Sequence, residues 1–470
     1  MFYYTLTIIA ILLYIFAPQE YSHIYNICIL LVYVFSFVAF AKKEKIKALS
    51  YPTLFFFIFF FVNFAYPVFI YPFDSTFILQ YRYSFSTNYI NSGSALSLVA
   101  FTIFICGYIK RKKNFASERH YILNRKNYTL FLILSFGVLL YNLILIIPQI
   151  GISYADAKVP FQTGSLFVML ESTLALLQCF SNRNELRGNS KLFFYSLRFH
   201  IFQSSIFSLG CLLLGSREYV LTLVLLFAIL YSHYVKPIQT LKMLGGLLIG
   251  IMAFYFISQV RNNSQISSSK ELFELKSWQN GKVSGAWNLA SDLIINNRNL
   301  YVGMQYVDDS KHGYTYGYNY IPNILSPIPF LPSLFTKYIL ETSVVDLTSQ
   351  QMLTNYTRDD LGESSLDYEL GTNCVVDVYM AFGLLGVIVF FYCLGIFIKY
   401  LEVNMSSNVK TACAYIVLFT GIVFFCRSSF LGPVKNLVWA YWVCCFCLYR
   451  IKDFSIAKNQ LTNINSKQSS

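Results

Sequence analysis

The sequence predicts an all-α, polytopic membrane protein, a bundle of about twelve spanning helices. Of the 470 residues, 56% are hydrophobic, 18% are aromatic and only 13% are charged, and the mean hydropathy is +0.51. A soluble domain of this size does not need so much apolar surface, so the excess is expected to face lipid. We expect the whole chain, residues 1–470, to form one integral membrane domain.

Each predicted span is recognised by its length, since crossing a hydrocarbon core about 30 Å thick takes about 20 mostly apolar residues. The first run has neither the basic start nor the cleavage site of a signal peptide, so it is expected to be retained. The predicted spans are residues 2–17, 24–40, 51–71, 88–109, 128–147, 162–181, 193–214, 219–235, 241–259, 374–398, 411–426 and 434–449.

Basic residues collect on alternate connections between these spans. They fill residues 42–47 and 110–126 and recur at 183–191, at 236, at 399–410 and in the tail, residues 450–470. By the positive-inside rule that side is cytoplasmic, which predicts two cytoplasmic termini in a bacterial inner membrane. The one long polar segment, residues 261–373 between the ninth and tenth spans, is then periplasmic.

The net charge of +13 does not gather on a soluble domain, so membrane lipids are expected as partners and nucleic acid is not. Ten of the eleven cysteines lie in or at the ends of apolar runs, and only Cys374 approaches the long loop. Neither a disulfide framework nor a zinc site fits that distribution. The sequence therefore predicts no metal and no other cofactor.

Two motifs are specific enough to suggest a family. Gly215-Ser216-Arg217-Glu218 precedes an apolar run, and the span after the long loop opens with Asp377-Val378-Tyr379-Met380-Ala381-Phe382-Gly383-Leu384-Leu385-Gly386. This pairing resembles the Wzy-type O-antigen polymerases, which join oligosaccharide repeat units, and the region around Gly313, Tyr316 and Pro322 looks like the loop of that family. The glycines at 383 and 386 are most simply explained by close helix packing.

The resemblance implies transfer of a growing glycan from undecaprenyl pyrophosphate to the next lipid-linked repeat unit at the periplasmic face. It also implies a metal-independent, membrane-embedded glycosyltransferase fold of the GT-C-like kind. A chain-length regulator protein is a possible partner of such an enzyme.

Three arginines lie at predicted periplasmic span ends, where basic residues are scarce. Arg217, Arg261 and Arg427 are candidates for binding the pyrophosphate, because a guanidinium pairs with two phosphate oxygens at once. Anchoring to lipid headgroups by snorkelling is the alternative explanation for each of them.

The acceptor hydroxyl needs a general base, and Asp377, Glu369 and His312 are the candidates on the predicted periplasmic side. Asp377 lies just inside a span, where it could instead cap the helix, and its neighbour Tyr379 is a candidate substrate-binding residue.

Glu171 stands alone near the middle of the sixth span, where an ionisable residue should face the bundle interior or a cavity and have a partner. Arg198 and Arg217 are candidate partners. Glu171 is a candidate for binding substrate, and a purely structural interhelical bond is the alternative.

Two other functions fit a protein of this kind. A flippase-type transporter would show repeats and binding groups at mid-membrane, whereas this chain has one lone mid-span acid and one asymmetric loop. An O-antigen ligase would share the spans and the large loop. Loops of ligases resemble one another in their Arg and His residues, however, and this loop offers only His312.

Overall fold

The computed structural model describes residues 2–78, 84–110, 121–149, 161–214, 216, 218–239, 245, 287, 291–364 and 369–450. This part of the chain is almost entirely helical and divides into two compact units. Unit 1 comprises Met1–Lys112, Ile238–Tyr400 and Leu418–Lys435, and unit 2 comprises Lys113–Pro237, Leu401–Val417 and Asn436–Ser470.

The helices of unit 1 are α1 (Phe2–Ile15), α2 (His23–Glu44), α3 (Tyr51–Asn63), a π-helix (Tyr66–Ile70) and α4 (Tyr89–Lys110) before the gap. Those of unit 2 are α5 (Arg125–Ile146) with a 3-10 turn (Ile147–Gln149), α6 (Phe161–Ser181), α7 (Arg183–Leu186), α8 (Ser190–Ser196), α9 (Arg198–Leu213) and α10 (Glu218–Tyr234).

The long loop contains α11 (Ser291–Ile294), α12 (Asn297–Asp308), a 3-10 turn (Tyr318–Tyr320), α13 (Ile321–Leu325), α14 (Leu331–Ile339) and α15 (Ser349–Asp359). After it come α16 (Cys374–Asn404), α17 (Val409–Thr420), α18 (Ile422–Phe425) and α19 (Val434–Cys447). The strands β1 (Tyr121–Leu123) and β2 (Leu448–Arg450) form one antiparallel pair, in which Ile122 is opposite Tyr449.

Eleven of the predicted spans coincide with helices, and the ninth, residues 241–259, lies outside the described residues apart from Gly245. Within the part of the chain that the structure describes, five helices are long and apolar enough to cross a membrane by length and composition, and five shorter ones are also apolar. The seventh predicted span is interrupted at Leu197, between α8 and α9. The long helices are His23–Glu44, Tyr89–Lys110, Arg125–Gln149, Thr163–Ser181 and Cys374–Asn404.

Helix α4 is the core of unit 1. In its most apolar stretch 89% of the residues are buried, compared with 28% in that of α2. The reason is that α1, α2, α3 and the loop helix α12 all pack around α4. Its contact with α16 brings the two backbones together, since a Cβ at Gly107 would lie 2.1 Å from the carbonyl oxygen of Tyr392. A Cβ at Gly395 would likewise lie 2.2 Å from the carbonyl oxygen of Phe104. Glycines at 107 and 395, and not those at 383 and 386, provide this close packing.

The two ends of unit 1 differ in chemistry. At one end Lys399 donates to Glu44 at 2.8 Å, and Lys110 lies 5.5 Å from the ring of Tyr392. At the other end the amide of Asn91 donates to the carbonyl oxygen of Pro18 at 2.9 Å. The lysine-rich connections predicted to share one side therefore meet at one end of this unit.

Unit 2 is built around α6. In the most apolar stretch of α6, 72% of the residues are buried, whereas in that of α5 only 22% are. Helices α5, α9 and α10 pack on α6, and the ring of Tyr219 lies 3.0 Å from the position of a Cβ on Gly164. The β1–β2 pair closes one end of the unit, where Asn124 caps α5 by accepting from the backbone N–H of Asn127 at 3.3 Å. Of the predicted cytoplasmic tail, only Arg450 lies within the described residues.

Candidate functional site

The first turn of α16 is fixed by a buried amide network. Asn373 caps the helix by accepting from the backbone N–H of Val375 at 2.8 Å, and its side-chain amide donates to Asn63 at 2.9 Å. The hydroxyl of Ser97 donates to the same oxygen of Asn63 at 3.0 Å. Because these side chains come from α3, α4 and the start of α16, the network sets where α16 begins.

Helix α16 is broken nine residues after it begins. Gly383 has φ 63° and ψ −158°, values that do not belong to a helix and that a residue with a Cβ rarely adopts. Such a break deprives carbonyl groups in the preceding turn of their helical partners. Within a membrane-embedded helix those groups must be satisfied by other parts of the protein.

The long loop supplies those partners. The backbone N–H of Thr315 donates to the carbonyl oxygen of Met380 at 2.8 Å, and the Thr315 hydroxyl lies 3.3 Å from the same atom. The ring of Tyr314 lies against Gly383, with its hydroxyl 3.1 Å from the position of a Cβ there. The two segments that resemble the family, around Gly313 and from Asp377 to Gly386, are therefore in contact.

Asp377 is fully buried and accepts three hydrogen bonds on its carboxylate. One oxygen accepts from the Asn319 amide at 3.0 Å, and the other accepts from the Ser429 hydroxyl at 3.0 Å and the backbone N–H of Phe430 at 2.8 Å. Asn319 is itself oriented by Thr315, whose hydroxyl donates to its oxygen at 2.8 Å. The carboxylate thus joins the loop and the 429–430 turn to the first turn of α16.

Tyr379 extends the site toward α1. Its hydroxyl accepts from the hydroxyl of Tyr14 at 3.2 Å, and its ring centroid lies 6.1 Å from that of Tyr314. Tyr320 is buried beside the rings of Phe382 and Phe390. Burial, and next the negative charge of Asp377, raise the pKa of Tyr320, so this phenol stays protonated.

His312 lies just before the segment around Gly313 and is in contact with solvent. It has a carboxylate partner that the sequence did not indicate. Its Nε2 is 3.3 Å from Asp360, and its ring stacks on Tyr306 with centroids 4.4 Å apart. Lys311 donates to the other oxygen of Asp360 at 3.0 Å. The hydrogen bond from Lys311, and next that from His312, lower the pKa of Asp360. A histidine oriented by a carboxylate is suited to general base catalysis.

The other residues predicted for the site are more dispersed. Glu369 is exposed and follows residues that the structure does not describe. Arg427 is half-buried, two residues before Ser429, with its guanidinium 5.2 Å from the ring centroid of Phe424. Arg217 and Arg261 lie outside the described residues.

Glu171 lies in unit 2, fully buried, where it accepts from Ser135 at 2.7 Å. Its second carboxylate oxygen is 2.7 Å from Nδ1 of His200, whose Nε2 is 2.8 Å from the hydroxyl of Tyr128. The carboxylate partner is therefore His200, whereas Arg198 stacks over Tyr195 at 4.5 Å. These contacts link α5, α6 and α9.

Some important residues were not singled out from the sequence: Thr315, Asn319, Asp360, His200 and the fully buried Arg298, which donates to the carbonyl oxygen of Ser84 at 2.8 Å. For Thr315 and Asn319, the sequence signal was the alternation of tyrosine with smaller residues over residues 313–320. Among the residues that the structure describes, no three His, Cys, Asp or Glu side chains are grouped so that they could hold a metal ion. All eleven cysteines have free thiols.

Comparison with known proteins gives one match. The family model described as O-antigen polysaccharide polymerase Wzy matches residues 1–459. No curated protein matches, and no solved structure matches. Since the family model covers nearly the whole chain, including both segments that meet at Gly383, this multi-pass membrane protein belongs to the O-antigen polysaccharide polymerase Wzy family, whose members act on lipid-linked oligosaccharide repeat units.

Proposed function

We propose that this polymerase works at the periplasmic face of the bacterial inner membrane, with both of its termini in the cytoplasm. It transfers the growing glycan from undecaprenyl pyrophosphate to the terminal sugar of the next lipid-linked repeat unit. The observation that carries the proposal is the contact between the segment around Gly313 and the Asp377–Gly386 segment, at the break in α16. Lys399, at the other end of this helix, lies at the lysine-rich end of the unit, which the positive-inside rule assigns to the cytoplasm.

His312 is the general base that the geometry supports best. It is accessible to solvent, it has Asp360 beside it, and it lies two residues before Tyr314 at the helix break. In the reaction, a hydroxyl of the acceptor sugar attacks the anomeric carbon of the donor, and the bond to the pyrophosphate oxygen breaks. The imidazole accepts the hydroxyl proton, and the pyrophosphate leaves with the electron pair of that bond.

Asp377 and Glu369 remain the other bases predicted from the sequence. The three hydrogen bonds to Asp377 and its complete burial favour a positioning role for this carboxylate. Tyr379 is proposed to contact substrate through its place beside Tyr14 and Tyr314. Glu171 is the other predicted substrate-binding residue, and its hydrogen bonds to Ser135 and His200 favour an interhelical bond.

The leaving pyrophosphate needs cationic groups, and we assign that role to Arg217, Arg261 and Arg427 without a metal ion. Replacing each arginine by lysine preserves the charge but removes the planar pair of donors. We expect each Lys variant to polymerise more slowly at normal expression. Normal ladders from all three variants would leave headgroup anchoring as the sufficient explanation.

The remaining features follow the resemblance. The chain is proposed to form a twelve-span bundle with a GT-C-like arrangement, and a chain-length regulator protein is proposed as its partner. Both proposals rest on the family and on the eleven predicted spans that coincide with helices.

Deletion of the gene separates this function from its rivals. Without a flippase no repeat unit reaches lipopolysaccharide, and without a ligase the polymer stays on its lipid carrier. Without the polymerase, single repeats still cross the membrane and are ligated, so gels should show core plus one repeat and no ladder. Core without any repeat would exclude a polymerase role.

A further inference from the structure

The segment Gly313-Tyr314-Thr315-Tyr316-Gly317-Tyr318-Asn319-Tyr320 alternates between two kinds of residue, and the structure separates them. The odd-numbered side chains hold the segment to α16: Thr315 and Asn319 are buried and hydrogen-bonded there. Three of the even-numbered tyrosines, Tyr314, Tyr316 and Tyr318, are 41%, 76% and 52% exposed. We call these three residues the tyrosine strip.

We propose that the tyrosine strip binds sugar rings of the glycan portion of the lipid-linked substrate. This inference rests on the proposed function, because it names a subsite for the substrate of that reaction. It adds a binding surface of defined chemistry to the one general base and the arginines already assigned.

The backbone of the strip is held in a conformation that costs free energy. Tyr316 has φ 49° and Gly317 has φ 86°, both in the left-handed region. For a bulky residue such as tyrosine, that conformation is unusual and costs free energy. Strain of this kind persists where surrounding contacts impose it, and here those contacts leave the ring of Tyr316 the most exposed of the three.

Gly317 explains why the segment cannot relax inward. A Cβ at this position would lie 2.9 Å from the ring of Phe382, so the backbone rests directly on the aromatic side chain that precedes the helix break. With Gly317 on Phe382 and the N–H of Thr315 on Met380, the backbone is held against α16, the ring of Tyr314 lies against Gly383, and the rings of Tyr316 and Tyr318 stay exposed. The strip is thus fixed before substrate arrives, which lowers the entropic cost of binding.

The chemistry of tyrosine fits a glycan. A sugar ring has an apolar C–H face and hydroxyl groups at its edge, and tyrosine offers an aromatic face and a phenol at its tip. Tyr314 and Tyr316 are arranged edge to face with ring centroids 6.4 Å apart. Tyr314 also lies beside Tyr379 and follows His312 by two residues. A glycan resting on the strip would therefore extend beside the proposed base.

The test uses the purified full-length protein in detergent and, as its probe, O-polysaccharide released from the same cells by mild acid hydrolysis. Tyr316→Leu keeps an apolar side chain and the same backbone strain but removes the ring. We expect this variant to bind the polysaccharide about three- to tenfold more weakly, and Tyr316→Phe to bind nearly as well as wild type. Tyr338→Leu, at a residue of α14 that is 70% exposed, is the matched control and should bind normally.

The alternative occupant is the membrane interface, where tyrosine is common. In that case Tyr316→Leu and Tyr338→Leu would both bind polysaccharide like wild type, and any defect would appear only in association with lipid vesicles, which overturns the proposal. If Tyr316→Leu fails to elute as a single folded species, Tyr318→Leu takes its place with the same expectation. A deletion strain that still makes a full ladder would refute the polymerase function itself. Normal polysaccharide binding by Tyr316→Leu, or by Tyr318→Leu where it takes its place, refutes only the subsite.

Discussion

Asn319 donates its side-chain amide to two atoms of Asp377, the carboxylate at 3.0 Å and the backbone carbonyl at 3.2 Å. Asn319→Ala should therefore lower the thermal unfolding midpoint in detergent, since a buried acceptor left without its partner costs about 1–3 kcal/mol. Asn323→Ala is the comparison variant, because Asn323 is half-buried and reaches Asp377 only through Ser429, whose hydroxyl accepts from its amide at 2.9 Å and donates to the carboxylate. Equal midpoints for the two variants would contradict a role for Asn319 in holding the loop.

Asp377→Asn distinguishes positioning from catalysis. If the carboxylate positions the loop, the amide variant should unfold at a lower temperature, because three donors now face a group that can accept fewer of them. The fraction that stays folded should still polymerise. Ladder formation per folded molecule is the measurement. Wild-type stability with no ladder would instead make Asp377 the base.

His312→Gln and Asp360→Asn should have graded effects on the polymerisation rate of equal amounts of folded protein. Loss of a general base typically costs about 10²- to 10⁴-fold, so His312→Gln is expected to abolish the ladder. Asp360→Asn retains the imidazole and removes only its orienting charge, which predicts a smaller loss. Arg358→Gln, at an exposed neighbour that pairs with Asp359, serves as the control. A His312→Gln variant that polymerises normally would exclude this histidine as the base.

Gly107→Ala should prevent correct packing of α4 against α16. The added Cβ would meet the backbone of Tyr392 at 2.1 Å, and backbone cannot rotate aside as a side chain can. Gly137→Ala, in α5, meets nothing within 4 Å and should be tolerated or slightly stabilising. The amount of monodisperse protein after detergent extraction measures the difference, and similar yields would show that the α4–α16 contact is less close than described.

The Glu171–His200 pair should behave as one unit. Glu171→Gln and His200→Gln each alter the same 2.7 Å contact, so the double variant should lose less stability than the sum of the single variants. We expect a coupling of about 0.5–2 kcal/mol, the range of buried polar contacts between membrane helices and of neighbouring residues. Strict additivity in a denaturation series would mean that the two side chains act independently.

Topology has its own test, from reporter fusions. An alkaline phosphatase fused after Lys311 should be active and one fused after Lys112 inactive, because the enzyme folds only in the periplasm and the basic connections stay in the cytoplasm. Activity in the reverse pattern would invert the proposed orientation and move His312 to the wrong side for a periplasmic substrate.

The positions of the apolar helices were predictable because hydropathy is a local property of the chain. Each of the eleven predicted spans within the described residues has its helix, and the lysines that share a predicted side meet at one end of unit 1. The β1–β2 pair was not predicted, since three-residue strands 325 residues apart leave no periodic signal. Nor was the break in α16, because Gly383 lies in an apolar run and a positive φ is not encoded in hydropathy.

The site was predictable only in part, for a related reason. The segments around Gly313 and Asp377 were found as motifs, but the contacts between them depend on tertiary structure. Asp360 is 48 residues from His312, and an acid in an acidic loop gives no sign of its partner. His200 was passed over because an arginine is the more obvious partner for a mid-span acid, whereas the structure pairs Glu171 with an imidazole.

The break in α16 also has a consequence for biogenesis. The carbonyl oxygen of Met380 depends on the N–H of Thr315, which lies 65 residues earlier in the chain. Chains are made from the N-terminus at about 5–20 residues per second, so this donor leaves the ribosome several seconds before its acceptor. The part of α16 before the break, residues 374–382, thus reaches the membrane after its hydrogen-bond donor, the segment with Thr315, has been made. A circular permutant that reversed this order would insert an unsatisfied carbonyl into lipid first.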